Sequence, residues 1–139
     1  MNNTDYHDFN PAFLSSHDGY AGQMDASGSQ DVRFINNVSI GRSDANGFDV
    51  WSSTGVVKSN NIFYPVTRDE SGGGGYLLVA DPGFVDPGED PTTADFRPRD
   101  GSPLIGGGVG TFAGVVIPRV DIRGKHRPTT APAIGAFEP

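Results

Sequence analysis

Two aspartates, Asp25 and Asp49, stand 24 residues apart, and each lies between two apolar residues. If the two stretches are stacked strands with these apolar neighbours turned inward, both carboxylates face solvent about 5 Å apart and repel each other. A Ca²⁺ ion, which takes oxygen ligands, would relieve that repulsion. The alternative is that both carboxylates are simply hydrated. The pair is a candidate ligand-binding site. We favour hydrated carboxylates and therefore expect no metal and no cofactor, with Ca²⁺ as the alternative.

Arg33 and Lys58 lie on the strands next to this pair, one position out of register with each other. A polysaccharide lyase needs a base with a lowered pKa beside a group that neutralises charge, and Lys or Arg can serve. The alternative is a solvated surface face. Trp51, just before a Ser-rich turn, is the aromatic residue best placed to stack on a sugar ring, although aromatic residues of such folds more often pack in the core.

A second group of charged residues lies near the end of the chain: Arg119, Arg123, Lys125 and Arg127, together with His126. These cations could meet acidic sugars, or they could pair with the chain's own excess of acids, 17 Asp and Glu against 10 Lys and Arg. We favour the second interpretation. The two His-Asp doublets, at residues 7–8 and 17–18, match no zinc spacing, and adjacency in sequence does not build a catalytic triad. No acid–base constellation emerges from these residues.

The elements that must position these residues repeat with a period of 24. Residues 32–38 and 56–62 both end in Asn-Asn and a β-branched residue, and Leu14, Val38 and Ile62 form a column at the same offset. The leucine pattern of a leucine-rich repeat is absent. Runs rich in Val, Ile, Phe and Tyr between turn residues predict strands at 32–40, 47–51, 56–58, 62–66 and 76–80.

A stacked β-solenoid explains the columns of this repeat, because equivalent residues on adjacent coils lie about 4.8 Å apart. The aliphatic column would lie inside. The Asn pairs, Asn36/Asn60 or Asn37/Asn61, would stack at a corner, where amides can bond each other and the bent backbone. The first turn departs from the pattern, since residues 12–13 are Ala-Phe where an Asn pair is expected.

The composition changes after residue 80. Pro and Gly occur at turn spacing around isolated apolar residues over residues 81–139, which we call the wrap. We expect the wrap to be extended and rich in turns, and to cover the side and the C-terminal mouth of the coils in residues 1–80. An uncovered coil would leave backbone N–H and C=O groups unpaired.

The overall composition excludes several classes of function. A net charge of −7 and a pI near 4.6 argue against binding to nucleic acid or to an anionic membrane, and no apolar run is long enough to span a bilayer. With no Cys, the fold depends on packing, and the redox compartment cannot be read. The first eight residues lack the features of a signal peptide, so we expect an internal protein or a missing leader.

Several stretches carry a family resemblance: Ser-Asn-Asn-Ile-Phe-Tyr at 59–64, Asp-Pro-Gly-Phe-Val-Asp at 81–86, Asp95-Phe96, Gly-Ser-Pro-Leu-Ile at 101–105, and the closing Asp121…Gly124…Arg127-Pro128 with Ile-Gly-Ala-Phe-Glu at 134–138. Together they resemble the C-terminal end of the pectate-lyase-like right-handed parallel β-helix proteins, many of which are bacterial surface or secreted proteins. The resemblance spans roughly residues 32–139. It departs at residues 106–108, Gly-Gly-Gly where an acid or Asn is common, and at Ala133, where Asp is common.

The resemblance implies an all-β fold, a short right-handed parallel β-helix of about three coils with an irregular C-terminal wrap, and carbohydrate as the usual ligand. It also suggests an extracellular or cell-surface location. The family's enzymes carry their catalytic groups on middle coils, which are mostly outside this chain.

We therefore expect a non-catalytic module that binds polysaccharide or self-assembles and has no catalytic residue, either as a protein in its own right or as a fragment of a longer polysaccharide-handling protein. The alternative is a small lyase or hydrolase that acts on an acidic glycan through Asp25, Asp49, Arg33 and Lys58. The N-terminal coil shows no cap in the sequence, so we expect a homo-oligomer that forms there, or loss of order in residues 1–10.

Overall fold

The computed structural model describes residues 1–2, 4–6, 24–25, 28–40, 48–49, 52–64, 76–77, 81–88, 90 and 92–139, and only the backbone of 4–6, 24–25, 48–49 and 76–77. These parts of the chain form short strands and no helix, so the fold is all-β as predicted. The strands are β1 (Thr4–Tyr6), β2 (Met24–Asp25), β3 (Arg33–Ile35), β4 (Val38–Ile40), β5 (Phe48–Asp49), β6 (Val57–Ser59), β7 (Asn61–Tyr64), β8 (Tyr76–Leu77), β9 (Phe84–Asp86), β10 (Asp95–Pro98), β11 (Thr111–Phe112) and β12 (Val115–Val116).

Parallel pairing between the strands follows the 24-residue period. β2 pairs with β5, β3 with β6 and β4 with β7, and the register places Val38 opposite Ile62. The last pair belongs to a four-stranded sheet of order β1-β4-β7-β8. The chain therefore visits three sheets in the same order twice, in residues 24–40 and again in residues 48–64.

The corner between β3 and β4 interrupts what the sequence predicted as one strand over residues 32–40. Asn36 has φ 55 and its equivalent Asn60 has φ 51, so both lie in the left-handed region. Asn tolerates that conformation better than other residues with a side chain. The Asn pair thus turns the chain from one sheet into the next, which splits the predicted strand.

The inner asparagines of the two corners bond to each other, as the stacking argument predicted. Asn37 donates from Nδ2 to Oδ1 of Asn61 at 2.9 Å, and its backbone N–H donates to the same oxygen at 3.1 Å. Asn61 in turn donates from Nδ2 to the carbonyl oxygen of Phe34 at 2.8 Å. Both amides are fully or almost fully buried, so these bonds satisfy polar groups that would otherwise be costly.

The outer asparagines, by contrast, bond to the wrap. Asn36 donates from Nδ2 to the carbonyl oxygen of Val109 at 2.8 Å and accepts from the N–H of Val109 at 3.0 Å. Asn60 donates from Nδ2 to the carbonyl oxygen of Gly107 at 2.7 Å. A Cβ on Gly107 would lie 2.6 Å from a backbone oxygen, and one on Gly108 would lie 2.8 Å from another. This close approach gives a packing reason for Gly107 and Gly108, whereas Gly106 has a φ of 69, a conformation that favours glycine.

The first turn is where the sequence analysis was wrong. Val38 has Thr4 as its Cα partner and not Leu14, so this turn is ten residues longer than the next one. Asn2, at φ 55, takes the corner position expected near residues 12–13, and its N–H donates to the carbonyl oxygen of Ile35 at 3.0 Å. Leu14 and residues 12–13 lie outside the described residues. The ten additional residues of this turn move its Asn corner out of the 24-residue register.

One hydrophobic core joins the strands to the wrap. Val38 and Ile62 from the parallel sheet pack with Phe84, Leu104 and Ile134 from the wrap, all at most 4% exposed. The N–H of Gly135 also donates to the backbone oxygen of Asn36 at 2.9 Å. The wrap therefore covers the side of the parallel strands and contributes three members of their core.

Candidate ligand-binding site

The register places Asp25 directly opposite Asp49 in the β2–β5 pair, as the sequence predicted. Their side chains lie outside the described part of the structure, so a shared calcium ion stays a prediction. Among the described residues, no group of three or more His, Cys, Asp or Glu side chains is arranged to hold a metal ion.

Arg33 and Lys58 occupy adjacent positions of the β3–β6 pair, where Arg33 is opposite Val57 and Lys58 is opposite Phe34. Successive residues of a strand point to opposite faces, so the two cations lie on opposite faces of this sheet. The guanidinium of Arg33 donates from Nη1 to the carbonyl oxygens of Val32 at 3.1 Å and Gly55 at 2.8 Å. Trp51 is outside the described residues. A binding role for these three residues stays a prediction.

A cleft of about 600 Å³ opens in the wrap, away from the residues that the sequence singled out on the coils. Two short segments form its opposite walls. One is β10 with the residues that follow it, and the other is the stretch after Asp121, which we call the tail segment (residues 121–127). The cleft is lined by Val85, Arg97, Pro98, Arg99, Asp100, Arg123, Lys125 and Pro139.

The wall formed by β10 and the residues after it carries Arg97 and Arg99, which are both exposed and both line the cleft. The Arg97 guanidinium forks onto Asp95, with Nε at 2.8 and 2.9 Å from the two carboxylate oxygens. This hydrogen-bonded guanidinium lowers the pKa of Asp95 to about 2. Arg99 donates from Nη2 to Asp81 at 2.6 Å, and the two side chains are 57% and 53% exposed.

The opposite wall is shaped by the buried carboxylate of Asp121. It accepts from the backbone N–H groups of Arg123 and Lys125, both at 2.8 Å, and of Glu138 at 3.1 Å. Burial by itself would raise the pKa of Asp121, but these three N–H groups and the nearby Arg123 guanidinium outweigh it, so the pKa is lowered. The turn they close directs Arg123 and Lys125 toward the cleft.

Arg123 lies over the Phe137 ring, 5.4 Å from the ring centroid, and donates from Nη2 to the carbonyl oxygen of Glu138 at 2.9 Å. The Nζ of Lys125 donates to the carbonyl oxygen of Pro139. These contacts hold the charged ends of both side chains in position.

Behind this wall lies a buried ion pair between Arg127 and Glu138, 2.7 Å apart, with side chains only 3% and 5% exposed. Arg127 also donates to the carbonyl oxygens of Ala133 and Gly135. The prediction that the terminal cations pair with the chain's own acids is confirmed for Arg127, and also for Arg123, whose Nε lies 3.7 Å from Asp121.

Sequence reasoning missed the contribution of Arg97 and Arg99. The Arg-Pro-Arg sequence at residues 97–99 indicates two arginines close together on an extended segment. No feature of the neighbouring sequence indicated that the tail segment would lie beside them.

No protein-family model, curated protein or solved structure matches this chain. The described residues include no helix with the length and apolar character needed to cross a membrane.

Proposed function

We propose that residues 1–80 form a right-handed parallel β-helix of about three coils, and that residues 81–139 wrap its side in the manner of the pectate-lyase-like proteins. The order of the strands supports this proposal, because the chain enters the same three sheets twice in the same order, with an Asn corner between the second and the third sheet each time. Asn36 and Asn60 have the same left-handed backbone, and the N–H groups of Asn2 and Asn36 donate to the carbonyl oxygens of Ile35 and Ser59 on the following coil. A solenoid stacks supersecondary units in this way.

The function we propose is non-catalytic carbohydrate binding within a larger polysaccharide-handling protein. The observation that carries it is the open cleft in the wrap, whose walls present side-chain donors held in place by backbone hydrogen bonds. Asp95, at the edge of this site, is held by the Arg97 guanidinium, whose hydrogen bonds lower its pKa to about 2.

Binding and turnover can be separated in one experiment. The purified chain is titrated calorimetrically with pectin, alginate, chondroitin and a neutral dextran, and each mixture is then followed in the ultraviolet, where the unsaturated uronate released by a lyase absorbs. We expect heat of binding with at least one polysaccharide and no rise in absorbance. Absence of binding to every polysaccharide would refute the proposal, and a rise in absorbance would replace it with the alternative.

That alternative is a small polysaccharide lyase, and the observation that favours it is the register of Asp25 opposite Asp49. Two stacked carboxylates would take Ca²⁺, which in turn would neutralise a uronate. The reaction should then require added calcium and should fail in Asp49→Asn. Absorbance that develops equally in calcium chelator would argue against this site.

Self-association is the other part of the proposal. β1 is the end strand of its sheet among the described strands, so one edge of its backbone is available to a further strand. Both polar atoms of the buried Asn2 amide also lack a hydrogen-bond partner. Light scattering at several concentrations should give a dimer or trimer. A monomer at every concentration would remove self-association and leave carbohydrate binding untouched.

A further inference from the structure

We infer that the cleft in the wrap binds the carboxylate groups of an acidic polysaccharide, with Arg99 and Arg97 as the residues that recognise them. The inference rests on the proposed carbohydrate-binding function and names its site and its class of ligand. It places the ligand on the wrap, at a distance in sequence from the Asp25–Asp49 pair.

Arg99 is the side chain most open to a ligand. A guanidinium has five N–H donors, and Arg99 uses one of them, in its bond to Asp81. Both partners of that pair are more than half exposed, so the pair contributes little to folding and its geometry is easily exchanged. A ligand carboxylate can therefore take the outer edge of the guanidinium through two parallel hydrogen bonds.

Arg97 is already oriented for the same task. Its Nε and one side of its guanidinium are held by Asp95, which leaves the opposite side of the fork directed away from that carboxylate. Holding the guanidinium in advance reduces the ordering cost when a ligand binds. Arg97 and Arg99 are two residues apart in the chain and both line the cleft, so one extended ligand can contact both.

The opposite wall adds charge from the other side of the cleft. The Arg123 guanidinium is close enough to β10 to contribute to the low pKa of Asp95, although the bond from Arg97 is the main cause. Lys125 lines the same wall. A polymer in the cleft would thus meet cations from both segments that line it.

The remaining lining residues fit a sugar better than a phosphate polymer. Asp100 is an exposed carboxylate that can accept hydrogen bonds from hydroxyl groups, and Asp81 stands beside Arg99. Val85, 51% exposed, offers apolar surface to the C–H face of a ring. The acidic side chains beside these cations lower the local positive charge. The lower charge disfavours binding of a nucleic acid but still allows binding of a polysaccharide with one carboxylate per sugar unit.

The test uses galacturonan oligosaccharides from pectin as the acidic probe and a neutral dextran oligosaccharide of the same length as the reference. Binding is measured calorimetrically for the wild type, Arg99→Gln, Arg99→Lys and Arg97→Gln. Arg119→Gln is the matched control, because it makes the same charge change at an exposed arginine outside the cleft. Thermal unfolding of each variant checks that the fold is intact.

We expect the galacturonan to bind and the dextran not to bind. Arg99→Gln should weaken binding about tenfold or more, since a charge-assisted bidentate contact is lost, while Arg119→Gln should change it less than about twofold. Arg99→Lys should recover only part of the affinity, because an ammonium group cannot form the fork. Raising the salt from about 0.05 M to about 0.5 M should weaken binding, because the cations are exposed and screened.

The outcomes separate this inference from the function on which it rests. If the wild type binds neither oligosaccharide nor any longer polysaccharide, the proposed function fails and the inference with it. If it binds dextran as tightly as galacturonan, or if Arg99→Gln and Arg97→Gln both bind galacturonan like the wild type, carbohydrate binding stands and the cleft is not the acidic site.

Discussion

Replacing Glu138 with Gln removes the carboxylate that faces the Arg127 guanidinium and leaves a positive charge inside the wrap. The pair is 2.7 Å apart, with side chains 3% and 5% exposed, and the same Glu138 oxygen accepts from the N–H of Ala133 at 2.9 Å. The Arg127 carbonyl partners, at Ala133 and Gly135, compensate only part of its charge. We therefore expect Glu138→Gln, which replaces one carboxylate oxygen with an amide nitrogen, to lower the free energy of unfolding by a large amount.

Breaking one half of a buried ion pair costs about 3–5 kcal/mol. Gln keeps an amide oxygen that can still accept from the N–H of Ala133, so the free energy of unfolding should fall by about 3 kcal/mol, the lower end of that range. A domain of this size is stable by about 5–15 kcal/mol, so the loss is a substantial fraction. At roughly 4 °C per kcal/mol, the melting temperature should fall by about 12 °C.

Urea unfolding followed by circular dichroism measures this loss, and an unchanged slope would show that the unfolded state is the same. Asp86→Asn is the control, because it neutralises an exposed acid. In a double-mutant cycle, Arg127→Met combined with Glu138→Gln should cost less than the two single changes together. A stability of Glu138→Gln within about 0.5 kcal/mol of the wild type, or simple additivity in the cycle, would refute the reasoning.

Three further changes test the corner, the tail segment and the approach of the wrap. Asn36→Ala loses both bonds to Val109 at a position with φ 55, so urea unfolding should show a loss of about 2–3 kcal/mol. Asn36→Gly, which relieves the backbone, should lose about 1 kcal/mol less, and equal losses would contradict the backbone argument. Because the pKa of Asp121 is lowered in the folded state, its contribution to stability is present above about pH 4 and is lost as the pH falls through the folded value. Asp121→Asn should therefore flatten the acid side of a stability–pH profile, and an unchanged profile would assign acid unfolding to other groups. Gly110→Ala would place a Cβ 1.7 Å from a backbone oxygen and should prevent folding or cost more than about 3 kcal/mol in thermal unfolding. Gly114→Ala, whose added Cβ would have nothing within 4 Å, should cost about 1 kcal/mol. Similar losses in the two variants would show that the wrap yields at residue 110.

The sequence predicted the parts of the fold that depend on equal spacing. Asn37 and Asn61 are 24 residues apart in the chain and stack in space, so a search for a period finds them and also finds Val38 and Ile62. A search for that period does not find the first turn, because its ten extra residues place Asn2 outside the 24-residue spacing of the other corners. A fixed period recognises only coils of equal length, whereas stacking in space requires only that the corners coincide.

The candidate site was harder to predict because its walls come from distant parts of the wrap. The charge excess was enough to predict that Arg127 would pair with an acid, since a buried guanidinium needs one. It could not predict that Arg97 and Arg99 would face Arg123, because that depends on how β9 and β10 pair and how Asp121 closes its turn. Periodicity carries no information about an irregular segment.

The asparagine corners explain why the irregular wrap is nevertheless held in a defined position. Each outer Asn presents one amide toward the wrap, and successive corners stack at the strand spacing of about 4.8 Å. Asn60 bonds to Gly107 and Asn36 to Val109, two residues further along, so one step along the stack corresponds to two residues of the wrap. The repeat of the coils thus fixes the position of a segment that has no repeat of its own. Since Gly135 also bonds to the backbone of Asn36, the same corner positions the chain beside the tail segment. The cleft therefore depends on the register of the coils, although none of the described coil residues lines it.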